Sequence, residues 1–319
     1  KMSYRQVRWP AMQVCKIHLM IIKIKKIRNL SSAKPFIMLL LAMGSNGVAQ
    51  AAMPYSDGQQ VGIHIGSESL TSLESGPGET FSASQKSMTL PLEQKSRRRE
   101  SFSSQFHLDI TEFDWRGSTA AQKEYIWLSM PIQYQQQRGS NNLFMLDFEP
   151  GFMTDGSNIG IDQIGLNGSV TGRRLLGNGG FWQYGLTVNR AFGDYNVRPL
   201  VSVGFQASQR TWVELGFPNI NVKHRLSNAL KSYFMIKPAG GVWKEEIKTD
   251  TVKKDVSLQY SNWQVGLGAD FHWRESLWLN AEVGQLRNRR VRAFDDAGAL
   301  VKATPGQSRY WRIGASLKY

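Results

Sequence analysis

No run of about 20 apolar residues occurs in this chain of 319 residues, which excludes a membrane protein built from several spanning helices. Mean hydropathy is −0.36 and hydrophobic residues make up 41%. The single compact apolar run, Pro35 to Met43 (PFIMLLLAM), is too short to cross a bilayer. Cysteine is nearly absent: Cys15 is the only one, which leaves no disulfide framework, thiolate metal site or cysteine nucleophile downstream. Gln13-Val14 before it is not the small-residue run of a lipoprotein signal. P-loop, dinucleotide fingerprint, H-E-x-x-H and CxxC patterns are also missing, so no cofactor and no metal is expected.

What is present at the amino-terminal end reads as export. Lys23, Lys25, Lys26, Arg28 and Lys34 precede the apolar run, and Ala49-Gln50-Ala51 after it fits an A-x-A cleavage site, so residues 1–51 are expected to be a secretory signal peptide. Met20 is the expected translation start, which would make Lys1 to Leu19 a spurious upstream extension. Removing residues 1–51 takes away nine Lys/Arg and no acid, lowering the net charge from +14 to +5. The basic balance therefore speaks for export, and nucleic acid is not an expected partner.

Downstream, alternation dominates. In Tyr310 to Tyr319 (YWRIGASLKY), Trp311, Ile313, Ala315, Leu317 and Tyr319 share one face, and Arg312, Gly314, Ser316 and Lys318 the other. From Trp263 to Trp273, Val265, Leu267, Ala269 and Phe271 alternate with Gln264, Gly266, Gly268, Asp270 and His272. Ten steps of about 3.3 Å, tilted roughly 40°, separate the two indoles by about 25 Å along a membrane normal, the height of the apolar band of an outer-membrane barrel. Trp263, Trp273, Trp311 and Tyr319 are thus expected in the interfacial girdles. Similar segments recur: Phe106, Leu108 and Ile110 against Gln105, His107 and Asp109; Ile126, Leu128, Met130, Ile132 and Tyr134 against a mixed face with Tyr125, Trp127, Ser129 and Gln133; then Trp182, Tyr184, Leu186 and Val188. A soluble sandwich would alternate too, but with its apolar face inward and without aromatics at strand ends.

The pattern predicts an all-β fold: a transmembrane antiparallel up-and-down β-barrel over residues 101–319, of about twelve strands within a range of 10–14. Residues 52–100, rich in Ser, Gly, Gln and Lys, are expected to be a flexible periplasmic arm or plug, with one short strand near Val61 to Ile65. Arg274-Glu275-Ser276 reads as a periplasmic turn, which places Lys244 to Tyr260 and Arg287 to Arg309 in extracellular loops. The latter carries Arg287, Arg289, Arg290 and Arg292, expected to face lipopolysaccharide phosphates.

Phe192-Gly193-Asp194-Tyr195 leading to Arg198-Pro199, Trp212 to Pro218 (WVELGFP), Val222 to Leu226 and the terminal aromatic strand resemble a family of bacterial outer-membrane β-barrel proteins known as a domain of unknown function. The resemblance covers about residues 100–319 and implies an outer-membrane barrel of a Gram-negative bacterium, with no catalytic residue to carry over.

Lumen-facing expectations are Gln264, Asp270, His272, Glu282 and Arg312, with Glu282 and Arg312 as opposed charges on the last two strands that either pair to stiffen the barrel or bias the passage of ions. Inward Gly266, Gly268, Gly284 and Gly314 leave pore volume or room for the amino-terminal arm. Asp270/His272 and His107/Asp109 are the candidates for general-base chemistry, since each pair shares a strand face. Three functions follow: a small-solute channel or structural barrel without catalysis, an outer-membrane lipid or peptide hydrolase or acyltransferase, and a surface adhesion or scaffold protein. Expected partners are outer-membrane lipids with lipopolysaccharide, and the barrel-assembly machinery through the C-terminal strand.

Overall fold

The computed structural model describes residues 60–73, 78–116, 121–156, 163–177, 179–249, 252–295 and 298–318. The expected leader over 1–51 and the girdle residue Tyr319 lie outside them. The strands run β1 (Gln60–Glu68), β2 (Thr71–Ser72), β3 (Thr80–Arg97), β4 (Glu100–Arg116), β5 (Ala121–Ser129), β6 (Ile132–Arg138), β7 (Asn142–Thr154), β8 (Ile164–Leu175) and β9 (Phe181–Val188). After a short 3-10 turn, Arg190–Phe192, follow β10 (Arg198–Ser208), β11 (Thr211–Phe217), β12 (Ile220–Arg225), β13 (Leu230–Thr249), β14 (Val252–Arg274), β15 (Leu277–Asp295), β16 (Gly298–Ala303) and β17 (Ser308–Lys318).

All belong to one antiparallel sheet that closes on itself: β1 pairs with β17 from Gln60↔Lys318 to Glu68↔Tyr310, and with β3 on its other side. β5 and β6 are one stave broken at Met130-Pro131, since both pair with β4 and with β7; β16 and β17 likewise share β15. Counted as staves, the barrel has fourteen strands rather than about twelve. The two additional staves are β1, extended by β2, and β3, so residues 60–97 are barrel wall and not a flexible arm. Their signal was weak because Thr80–Arg97 has polar residues on both faces.

The inside-out polarity follows the alternation. Leu267 is 62% exposed, Trp273 59% and Ile313 52%, all facing away from the bore, as Phe148, Leu166, Trp182 and Leu215 do elsewhere around the barrel. A soluble protein would not leave so continuous an apolar belt in water, whereas lipid requires it. Short turns at 98–99, 139–141, 209–210 and 275–276 mark one rim as periplasmic.

The wall is uneven in height. β3, β4, β13, β14 and β15 span 17 to 23 residues, whereas β9, β11 and β12 span 6 to 8. The expected loops at 244–260 and 287–309 are thus largely strand, continuing upward beyond the belt.

Candidate functional site in the lumen

The upper bore is filled by side chains, and they are aromatic. Phe81, Phe113, Tyr125, Trp127, Trp243 and Tyr260 point inward from β3, β4, β5, β13 and β14 and are buried, with Trp127 1% and Trp243 2% exposed. Phe113 meets Trp243 edge-on at 5.2 Å, Tyr125 at 5.7 Å and Tyr260 at 5.6 Å. Such T-shaped contacts add about 0.5–1.5 kcal/mol each beyond burial, so the cage is a packed constriction.

Into this cage reaches Arg190, from the loop joining β9 to β10. The loop crosses above the low staves, and the Asn189 side chain accepts from the Ala191 N–H at 2.8 Å to turn the chain there. Arg190 is 6% exposed; its Nη2 donates to Asp109 Oδ2 at 3.1 Å, and its guanidinium lies 4.5 Å from the Trp127 ring and 5.5 Å from the Trp243 ring. β13 makes room with Gly241, where a Cβ would fall 2.4 Å from Arg190 Nη1. The backbone N–H of Arg190 donates to Asn167 Oδ1 at 2.9 Å, and Asn167 donates to Glu149 at 2.8 Å. Glu149 also accepts from Trp127 Nε1 at 3.1 Å and Ser129 Oγ at 2.6 Å, while Gln85 holds Asp109 at 2.9 Å. A loop cation is thereby tied to β3, β4, β5, β7 and β8 inside the bore.

A second arginine completes the upper lumen. Arg289 is 1% exposed, donates from Nη2 to Glu68 at 2.8 Å and from Nε to Tyr260 Oη at 3.1 Å, and reaches the Gly306 carbonyl at 3.0 Å. This corrects the expectation that Arg289 faces lipopolysaccharide. The cause is a bulge: β15 pairs Trp263↔Arg287 and Ser261↔Arg290, leaving Asn288 (φ 49°) and Arg289 opposite Asn262. Strict alternation from Val283 would have turned Arg289 outward; the extra residue turns it in and sends Arg290 and Arg292 out.

Lower down, the bore carries charged and polar side chains. Glu282 pairs with Arg312 at 3.0 Å and accepts from Tyr233 Oη at 2.9 Å; Asn280 and His64 are 3.0 Å apart. Space beside the inward glycines is occupied by rings: a Cβ at Gly266 would lie 2.2 Å from Tyr310 Oη, at Gly268 2.3 Å from the Tyr233 ring, and at Gly314 2.3 Å from the His64 ring. That room is neither open pore nor a seat for an arm. Gln264 faces the same lumen, and Asp270 sits opposite Asn280 and Lys231 in register.

Three members of the candidate catalytic pairs have other partners. Asp109 is committed to Arg190 and Gln85, and His107 to Thr89 Oγ1 at 3.1 Å. His272 bonds the Glu275 carbonyl and stacks on Trp278, at the periplasmic rim. Trp273 and Trp311 are exposed on the outer face; Trp263 is there too, covered by Phe192 and Phe217. Arg190 escaped the sequence reading because nothing in Asn189-Arg190-Ala191 marks a loop as inward; the mixed face of Tyr125 and Trp127 was the available sign of a lined upper bore.

No family model and no curated protein matches the chain. Among solved structures, an outer-membrane channel from Pseudomonas putida F1 is similar with a TM-score of 0.44 and 11% identity, covering 85% of this chain and 100% of that one. The Pseudomonas putida toluene transporter TodX gives a TM-score of 0.39 at 10% identity over 83% of this chain and 90% of its own. The translocator domain of the Neisseria meningitidis autotransporter NalP gives 0.35 at 11% identity, over 96% and 98%. These likenesses concern barrel architecture alone.

Proposed function

We propose that the protein is an outer-membrane channel for small solutes, held closed in this conformation by its own β9–β10 loop, and that it carries no catalytic site. The observation that supports this reading is Arg190, delivered into the bore from outside the wall and stapled to Asp109 on the far stave. A structural barrel would be expected to fill its centre from its own strands. A plug carried on a loop above the shortest staves can withdraw without breaking the sheet, because residues 189–197 contribute no ladder hydrogen bonds. Once it withdraws, the constriction is rimmed by Trp127, Trp243 and Phe113, faces over which small aromatic or apolar solutes pass more readily than ions.

Planar-bilayer recording tests this. Full-length protein should show long closed periods, and a variant with residues 190–196 replaced by a Gly/Ser linker should show steady current. If the variant, folded by its heat-modifiable gel mobility, passes neither ions nor small aromatic solutes in a liposome assay, the channel reading is wrong.

A further inference from the structure

The bulge that turns Arg289 inward leaves Arg290 and Arg292 on the outer face, and they do not stand alone. Register sets Ser261 beside Arg290 and Gln259 beside Arg292, and these four with Asn288 and Trp263 line a notch of about 200 Å³ closed on one side by Gly193 and Asp194 of the β9–β10 loop. Its height is defined by its floor. Trp263 ends the apolar run of β14, and Phe192 and Phe217 pack around it as an aromatic shelf. Arg290 and Arg292 lie two and four residues higher, about 5 and 10 Å along the normal at 3.3 Å per residue and roughly 40° tilt, within the headgroup layer.

Among the described residues this charge is uncompensated. Asp194 also faces the notch, but Arg198 neutralises it with two hydrogen bonds of 2.6 and 2.8 Å. Neither Arg290 nor Arg292 has a carboxylate partner among the described residues, and Lys302, opposite Arg292 in register, adds a further exposed cation. Two guanidiniums, a hydroxyl and an amide converging above an aromatic shelf supply what a phosphorylated lipid headgroup requires: forked donors for the phosphate, and apolar surface below for its acyl chains.

We propose that this notch is a binding site for a phosphate of outer-leaflet lipopolysaccharide. The assignment does not need the channel reading, because Arg290, Arg292, Ser261, Gln259 and Trp263 all belong to β14 and β15, and the β9–β10 loop only closes one side of the notch. The test is native mass spectrometry of the full chain in detergent, titrated with lipopolysaccharide, with dephosphorylated lipopolysaccharide and with inorganic phosphate. Wild type should carry one lipopolysaccharide, with affinity lowered about thirtyfold in R290A/R292A and unchanged in R274A at the opposite rim. Dephosphorylated lipopolysaccharide should bind wild type as weakly as lipopolysaccharide binds the double variant. Retention of full affinity by the double variant overturns the proposal, as does equal binding of the dephosphorylated form. Competition by inorganic phosphate at equal concentration would show a free-anion site and overturn the lipid assignment. If the double variant does not fold, R290Q alone should show about a fivefold loss, and wild-type affinity in it counts against the site.

Discussion

The tall wall and the low wall of this barrel close the same bore by different means. On the tall side, β3, β4, β13 and β14 continue above the lipid belt and their inward positions change from polar to aromatic, so the sheet itself builds half of the constriction. On the low side, β9, β11 and β12 stop near the top of the belt, and a loop supplies the missing wall together with the cation that fills the centre. A strand is held by a ladder along its whole length. A loop is held by a few side chains, so the low side is where opening costs least.

The Arg190–Asp109 contact joins the two sides, and breaking it is the severest test of the comparison. Asp109→Ala strands a guanidinium that is buried against Trp127 and Trp243, an arrangement that costs about 3–5 kcal/mol when one partner of a buried pair is removed. Urea unfolding in detergent micelles should show that loss, together with more frequent openings in bilayers. An unchanged midpoint would mean that the loop is already free of the tall wall in solution.

Next in size is a contrast within one tall stave. Leu267→Arg puts a charge at mid-belt on β14 and should cost about 2–4 kcal/mol of folding free energy in lipid, whereas Gln259→Arg, above Trp263 on the same face, should cost about 0–1. Refolding yields in vesicles across a urea series measure both. Equal costs would place the upper membrane boundary higher than Trp263.

These two positions also show which part of the fold was legible in sequence. Lipid imposes one rule on outward residues, so Leu267, Phe271 and Ile313 announced their side by alternation alone, and Arg274 to Ser276 its turn. Inward residues obey only packing. Glu282 and Arg312 were readable because adjacent strands bring opposed charges together, but nothing local fixed the bulge at Asn288 that reverses Arg289, and nothing tied Arg190 to an aspartate 81 residues away. The amino-terminal staves were hidden for a related reason: β3 has polar residues on both faces, and only its two neighbours make it a strand.

The smallest effect is expected where the loop meets the outer face. Arg198 holds the Asp194 carboxyl below its usual value of 3.8, chiefly through their hydrogen bonds, and the Asn196 N–H adds to it. A carboxyl whose folded value is depressed stabilises the folded loop above its unfolded value and loses that contribution as pH falls through the lowered one. Wild-type openings should therefore become more frequent only below about pH 4, where Asp194 takes up a proton and leaves Arg198, Arg290 and Arg292 facing one another across the notch. Asp194→Asn should show the weakened hold already at neutral pH, by less than about 1 kcal/mol because the pair is partly exposed, and its opening frequency should respond less to acid than that of wild type. An acid response of the same size in both proteins would mean that Asp194 is not the group that sets it.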